Sequence, residues 1–451
     1  AINRLGKLRP VADETQELGV TNSGLFATHH IRVNVPERPD WNVSCEKAKP
    51  VLTKSGTDLI KDLGFTVQKS SADTLVLAGA TASPRAVAVL LNESEQFESR
   101  ADRYQVSPVA YGLKKAAEQD VPWLILLRGG QIRLYPAKDG VGVGQRGQSD
   151  TFFELDLALL SDQLSGLLYL IFSAEALAQG GTTHQILADS ARYATNLGVR
   201  LKNRIYDHVV PELAKAIASQ LPTLKVNVDA EGLQLAYRLT LRVLFRLLFQ
   251  AYAEDRGLLP YGRNPRYDRN ALKTLVTDDL IPNNGGDFDS ESQTLWDDLE
   301  QVWRVIDKGD KAWGVPAYNG GLFGTDEELH PEGALINRIR LTNEVMGPVL
   351  DHMLIDISED GVRGPVDFRS LSVREFGTIY EGLLESSLSL ADQDLTIDSK
   401  GAWVPAKDGE NVDAPAGSVY FHSASGERKA TGSYFTPSII VEHLLDRSLE
   451  P

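Results

Sequence analysis

The first 160 residues alternate short apolar runs with amphipathic segments, the pattern of an α/β domain. In chain order, the pattern predicts a helix, three strands, a second helix and two further strands, at residues 51–63, 65–68, 73–77, 86–91, 110–119, 123–127 and 131–135. Gly129 and Gly130 lie between the last two strands, which favours a hairpin with a tight turn. The Gly- and Ser-rich residues 138–150 predict an exposed loop.

From about residue 165 to 385 the apolar positions follow the period of a helix. Residues 160–178 are strongly apolar, 200–220 are amphipathic, and 233–256 predict one long helix. We interpret the tryptophans at 296, 303 and 313 as core or interface residues rather than as platforms that stack bases.

Short β segments separated by Gly-, Asp- and Pro-containing turns follow at residues 395–397, 402–404 and 418–422. Near the end of the chain, Pro437 opens an apolar-periodic helical segment at 438–449. The predicted domains are 1–160 (α/β), 161–385 (a helical connector), 386–427 (a small β insertion) and 428–451 (the start of a further domain).

Composition limits the class of protein. With 451 residues, 42% of them hydrophobic and 24% charged, the chain suits two or three ordinary domains. No apolar run reaches the ~18 residues of a membrane span, and the N-terminus lacks a signal pattern. A single cysteine, Cys45, allows no internal disulfide and fits a cytoplasmic protein. We expect no membrane partner and no metal site.

Charge is unevenly distributed along the chain. The net charge is -16, yet residues 192–273 contain 14 Lys and Arg against 7 Asp and Glu. Within this window Arg238, Arg242 and Arg246 recur every four residues, which places them on one helix face that could contact DNA phosphates. The alternative is internal ion pairing with the acidic segment 278–300.

The last two dozen residues contain the segment TGSYFTP, at 431–437. It resembles motif X of amino-group DNA methyltransferases of the type fused into type IIG restriction-modification enzymes and phage-defence methylases. In that family the motif lines the pocket for S-adenosylmethionine, so the resemblance implies that residues 428–451 contain the first helix of a Rossmann-like methyltransferase domain. The resemblance therefore implies cofactor-binding roles for Thr431, Gly432, Ser433, Tyr434, Phe435, Thr436 and Pro437.

Three further segments resemble the same family, in the family's order. They are the helix 244–259 (LFRLLFQAYAEDRGLL), the turn 316–323 (PAYNGGLF) and the helix 371–385 (LSVREFGTIYEGLLE). The family's next elements, a Gly-rich cofactor loop and an Asn-Pro-Pro-Tyr-like loop that holds the target amine, do not occur in this sequence. We therefore expect the N-terminal part of a longer adenine-N6 methyltransferase, inactive alone, in which S-adenosylmethionine binds only to the full-length protein. The resemblance implies double-stranded DNA and other subunits of a defence system as partners.

The element order of residues 1–160 also resembles the PD-(D/E)xK nuclease-like domain at the N-terminus of many type IIG enzymes. Such nucleases hold Mg²⁺ on carboxylates and need a Glu-x-Lys pair. Asp73, Glu93 and Glu95 could supply carboxylates, but the strand 86–91 and the residues just after it contain no lysine. We expect a degenerate, inactive domain. Two alternatives remain, a non-enzymatic adaptor that binds DNA or a partner protein, and an active nuclease.

Overall fold

The computed structural model describes residues 19–69, 73–80, 83–143, 147–318, 320–357, 363–371, 373–399, 401–407 and 409–423. The chain divides into two compact units. The first contains Ala1–Leu197 and Asp367–Ser372, and the second contains Gly198–Val366 and Val373–Pro451. The motif at 431–437 and the helix predicted at 438–449 lie outside the described residues, so both stay predictions.

The first unit is an α/β fold built on a seven-stranded mixed sheet of order β1-β7-β6-β5-β4-β3-β2. Its strands are β1 (Val20–Ser23), β2 (Thr66–Lys69), β3 (Thr74–Ala78), β4 (Pro84–Leu91), β5 (Trp123–Arg128), β6 (Gln131–Pro136) and β7 (Phe152–Asp156). Its helices are α1 (Trp41–Ala48), α2 (Gly56–Asp62), α3 (Pro108–Glu118), α4 (Gly166–Phe172) and α5 (Thr182–Arg204), of which α5 ends in the second unit.

The predicted element order is confirmed. Strands β2, β3 and β4 form an antiparallel meander, α3 follows, and β5 pairs with β4 in parallel. The hairpin between β5 and β6 turns at Gly129, whose φ of +55° suits glycine. One boundary differs, because Gly56 has a φ of +56° and the right-handed helix predicted from residue 51 cannot extend back through it.

Alternate residues of the central strands enter two cores on opposite faces of the sheet. Ala86 and Ala88 of β4 face the core that includes α1, α2 and α4, whereas Val87 and Val89 face the core that includes α3. This is the period of two expected of a strand that is buried on both sides. Because α4 contributes Leu167 to the first core, the compact unit continues past the predicted end at residue 160.

The second unit is mainly helical. Its helices are α6 (Val210–Ser219), α7 (Ala230–Asp255), α8 (Pro265–Asp268), α9 (Leu272–Leu275), α10 (Ile281–Asn283), α11 (Thr294–Lys308), α12 (Pro331–Ile336), α13 (Asn343–Leu354) and α14 (Val373–Leu384). The predicted long helix is confirmed as α7, which begins where the Asp229 side chain accepts a hydrogen bond from Gly232 N. Trp296, Trp303 and Trp313 are buried, as expected of core residues.

Short strands complete the second unit. They are β8 (Ile355–Ile357), β9 (Arg363–Pro365), β10 (Ser386–Leu390), β11 (Leu395–Ile397), β12 (Trp403–Pro405) and β13 (Val419–Ser423). The three predicted β segments of the 386–427 region are confirmed as β11, β12 and β13. Strand β10 was not predicted, and it pairs antiparallel with β13.

Candidate functional site

The carboxylates considered for a nuclease site lie at the edge where β3 begins and β4 ends. Asp73 precedes β3, and Glu95 lies in the loop after β4. Arg103 binds both, with Nη1 2.7 Å from Asp73 Oδ2 and Nη2 2.5 Å from Glu95 Oε2. A guanidinium therefore lies between these two carboxylates, and Glu93 is exposed.

The surroundings of Arg103 hold it in that position. Its Nη2 also donates to Leu90 O at 2.9 Å, and its guanidinium lies 4.7 Å from the ring centroid of Tyr104. Tyr104 stacks on Tyr111, and burial raises the pKa of Tyr104 to about 12. Among the described residues, no group of three or more His, Cys, Asp or Glu side chains is arranged to hold a metal ion. The arrangement at Arg103 can cross-link the start of β3 to the 95–103 loop.

The three arginines predicted to contact DNA share one side of α7, and each of them contacts other groups of the protein. Arg238 Nε lies 2.7 Å from Glu332 Oε1, and Arg242 Nη2 lies 3.4 Å from Glu332 Oε2. The predicted internal partner was the segment 278–300. The carboxylate that these two arginines contact is instead Glu332 of α12, some thirty residues further along the chain.

Arg246 requires a correction, because only 1% of it is exposed and it cannot present its charge to a phosphate in this conformation. Its Nε donates to Leu322 O at 2.9 Å, and its guanidinium lies 5.3 Å from the ring centroid of Trp303. Burial lowers the pKa of Arg246 to about 10. Arg242 adds a hydrogen bond of 2.6 Å to Gly321 O. The arginine row therefore holds the turn that contains Gly321 and Leu322.

The helix α14 packs on α7 through aromatic pairs. The ring centroids of Phe245 and Tyr380 are 5.7 Å apart, and those of Tyr252 and Phe376 are 5.6 Å apart. The Tyr237 hydroxyl also donates to Leu383 O at 2.5 Å. Of the three described segments that resemble the methyltransferases, the turn and α14 thus each contact the third, α7.

The C-terminal end of α7 contains a buried carboxylate. Glu254 accepts hydrogen bonds from Tyr267 Oη, Gln250 Nε2, Leu272 N and Lys273 N, at 2.8 to 3.1 Å. Burial raises the pKa of Glu254, and these four donors oppose the rise. Glu254 thereby anchors the chain after α7 to the helix itself, which gives the acidic residue of the Ala-Glu-Asp-Arg-Gly segment a structural role.

Sequence reasoning missed three of these residues, Arg103, Glu332 and Glu254. Glu254 stands inside a segment that had been singled out, but its burial depends on Tyr267 and α9, which no local pattern reveals. Arg103 lies in a loop eight residues after Glu95, and Glu332 is more than eighty residues from Arg242. Neither spacing corresponds to a helix or strand period that would have indicated the pairing.

Comparison with protein families, with curated proteins and with solved structures finds no match to this chain. Among the described residues, no helix has the length and apolar character needed to cross a membrane.

Proposed function

We propose that this chain is the N-terminal part of an S-adenosylmethionine-dependent DNA methyltransferase that acts on N6 of adenine in a restriction-modification or phage-defence system. The observation that carries the proposal is the presence of four family-like segments in the family's order. Three of them are described, and the 316–323 turn and α14 each contact α7. Segments that resemble one family and also pack together support a common origin better than separate short resemblances do.

Within this proposal the α/β unit is a nuclease-like domain that has lost cleavage. The support is its order of elements, with an antiparallel meander, a helix and then a strand parallel to β4. The Arg103 guanidinium contacts Asp73 and Glu95, where an active enzyme of this class would place a divalent cation. Plasmid DNA incubated with the protein and Mg²⁺ or Mn²⁺ should stay uncut, and nicking that is lost in Asp73→Ala would contradict this part of the proposal.

The methyltransferase proposal is tested with protein expressed from the whole coding sequence. That protein should transfer tritium from methyl-labelled S-adenosylmethionine to double-stranded DNA. Tyr434→Ala should weaken cofactor binding by up to about thirtyfold, since the attraction between an aromatic face and a cation is worth ~0.5–2 kcal/mol. Absence of transfer by the folded full-length protein would reject the proposal. Methyl transfer by the full-length protein, together with unchanged cofactor affinity in Tyr434→Ala, would reject only the assignment of residues 431–437 as motif X.

A further inference from the structure

The basic window of the sequence has a second group of cations besides the α7 arginines. Arg266 lies in α8 and Arg269 directly follows it, and both side chains are exposed. Within the part of the chain that the structure describes, neither guanidinium lies within 4 Å of a carboxylate oxygen, whereas Arg238 and Arg242 share Glu332. Arg266 and Arg269 therefore present exposed positive charge directly after α7.

Arg266 and Arg269 are neighbours on one surface. Residues three apart in a helical turn project to the same side, and like charges at that spacing repel each other weakly. Asn264 fixes the start of the turn, because its side chain accepts a hydrogen bond from Arg266 N at 2.9 Å. The same side chain donates to Ala312 O at 2.9 Å, which holds the backbone at Ala312 beside the start of α8; the preceding residue, Lys311, is exposed.

The carboxylates of these loops are engaged by the backbone. Asp268 accepts from Gly262 N at 2.9 Å, and Asp310 accepts from Ala312 N at 2.6 Å. The hydrogen bond of Asp268 stabilises the turn at 262–268, and that of Asp310 stabilises the turn at 310–312.

A buried anchor holds this surface in place. Tyr267, between the two arginines, is fully buried, donates to Glu254 and lies edge-to-face with Trp313 at 6.2 Å between ring centroids. Cations on an anchored turn lose less conformational entropy on binding than cations on a free loop.

We propose that Arg266, Arg269 and Lys311 form a surface that contacts phosphates of double-stranded DNA. This inference rests on the proposed function for its choice of polyanion. It replaces the α7 arginine row as the phosphate-facing part of the second unit. The contacts are to the backbone, so the surface positions the duplex and does not read its sequence.

The test is the salt dependence of duplex binding by the full chain. Binding is measured as the fluorescence anisotropy of a labelled 20-base-pair duplex. The variant R266A/R269A/K311A should reduce the slope of log affinity against log salt by about 2.7, at roughly 0.9 per phosphate contact. The control K114A/R304A/R338A removes one exposed lysine and two exposed arginines outside the basic window, with the same change of net charge. It should leave the slope unchanged.

An unchanged slope in R266A/R269A/K311A, or an equal fall in the control, would overturn the inference. Tighter binding of wild-type protein to single-stranded RNA of equal length would overturn it as well and assign the surface to RNA. Methyl transfer by the full-length protein, measured with the same substitutions, separates the two proposals. If methyl transfer is observed but the substitutions leave the salt slope unchanged, only the proposed DNA surface is rejected. If the substitutions lower the salt slope but no methyl transfer is observed, only the methyltransferase proposal is rejected.

Discussion

Arg246 and Arg238 stand two turns apart on α7, and their surroundings differ strongly. Arg246 is buried against Trp303 and donates to Leu322 O, whereas the Arg238 side chain is 54% exposed in its pair with Glu332. The spacing of four in the sequence predicted their shared side correctly. It could not predict that one arginine is inside, because burial is decided by the turn at 320–323 and by α11.

Arg246→Ala should lower the free energy of unfolding of the second unit by about 2–4 kcal/mol, since it leaves a cavity and an unpaired carbonyl. The matched control is Arg238→Ala, which removes an exposed ion pair and should cost less than about 1 kcal/mol. Urea denaturation followed by tryptophan fluorescence measures both. Equal costs would show that Arg246 does not hold the turn.

Glu254 gives the second unit a pH dependence. Burial raises its pKa in the folded state, so the folded protein binds more protons than the unfolded chain between the two pKa values. The contribution of Glu254 to stability is therefore complete below the unfolded pKa and is lost as the pH rises through the folded pKa. Glu254→Gln should make stability less dependent on pH in this range. The substitution should also lower the free energy of unfolding by about 1–3 kcal/mol. The glutamine NH₂ group can face Lys273 N, which is itself a donor and then loses its acceptor.

Denaturation midpoints at several pH values between 4 and 8 test this prediction. The control is Glu231→Gln, in the first turn of the same helix and exposed to solvent. A pH profile that is the same in Glu254→Gln and in wild type would mean that the four hydrogen bonds to Glu254 cancel the effect of burial on its pKa.

At the scale of elements, the strands and the longest helix could be predicted because their periods are regular. β4 and β5 are continuous apolar runs bounded by polar residues, and α7 keeps its apolar period over 26 residues. Element ends were less predictable, since they depend on single residues such as Gly56. Strand β10 escaped prediction because its sequence, SSLSL, has few of the β-branched and aromatic residues that indicate strands.

The packing of α14 on its neighbours depends on Gly382. A Cβ at this position would overlap the hydroxyl of Tyr206, which itself donates to Ile379 O at 3.1 Å. Gly382→Ala should therefore lower stability by about 1–3 kcal/mol. Gly320→Ala is the matched control, because a Cβ there meets no atom within 4 Å, and it should change stability by less than about 1 kcal/mol. Thermal unfolding of the two variants compares them, and equal midpoints would contradict the tight packing of α14.

At the scale of the whole molecule, the division into two units does not follow the sequence alone. The chain leaves the first unit after Leu197 and returns to it at residues 367–372, where Phe368 and Leu371 are buried. Thr28 N donates to Asp367 Oδ2 at 3.3 Å within the same unit. A contact between residues more than three hundred positions apart leaves no periodic trace in a single sequence, so linear boundaries such as 160 and 385 could not include it.

The most direct measurement of the central proposal is the N6-methyladenine content of DNA, by mass spectrometry. The DNA comes from cells that lack adenine methyltransferases of their own and express the whole coding sequence. We expect N6-methyladenine above the level of cells with an empty vector, and less of it in cells that express Tyr434→Ala at equal protein abundance. DNA without N6-methyladenine in cells that contain the folded full-length protein would contradict the account.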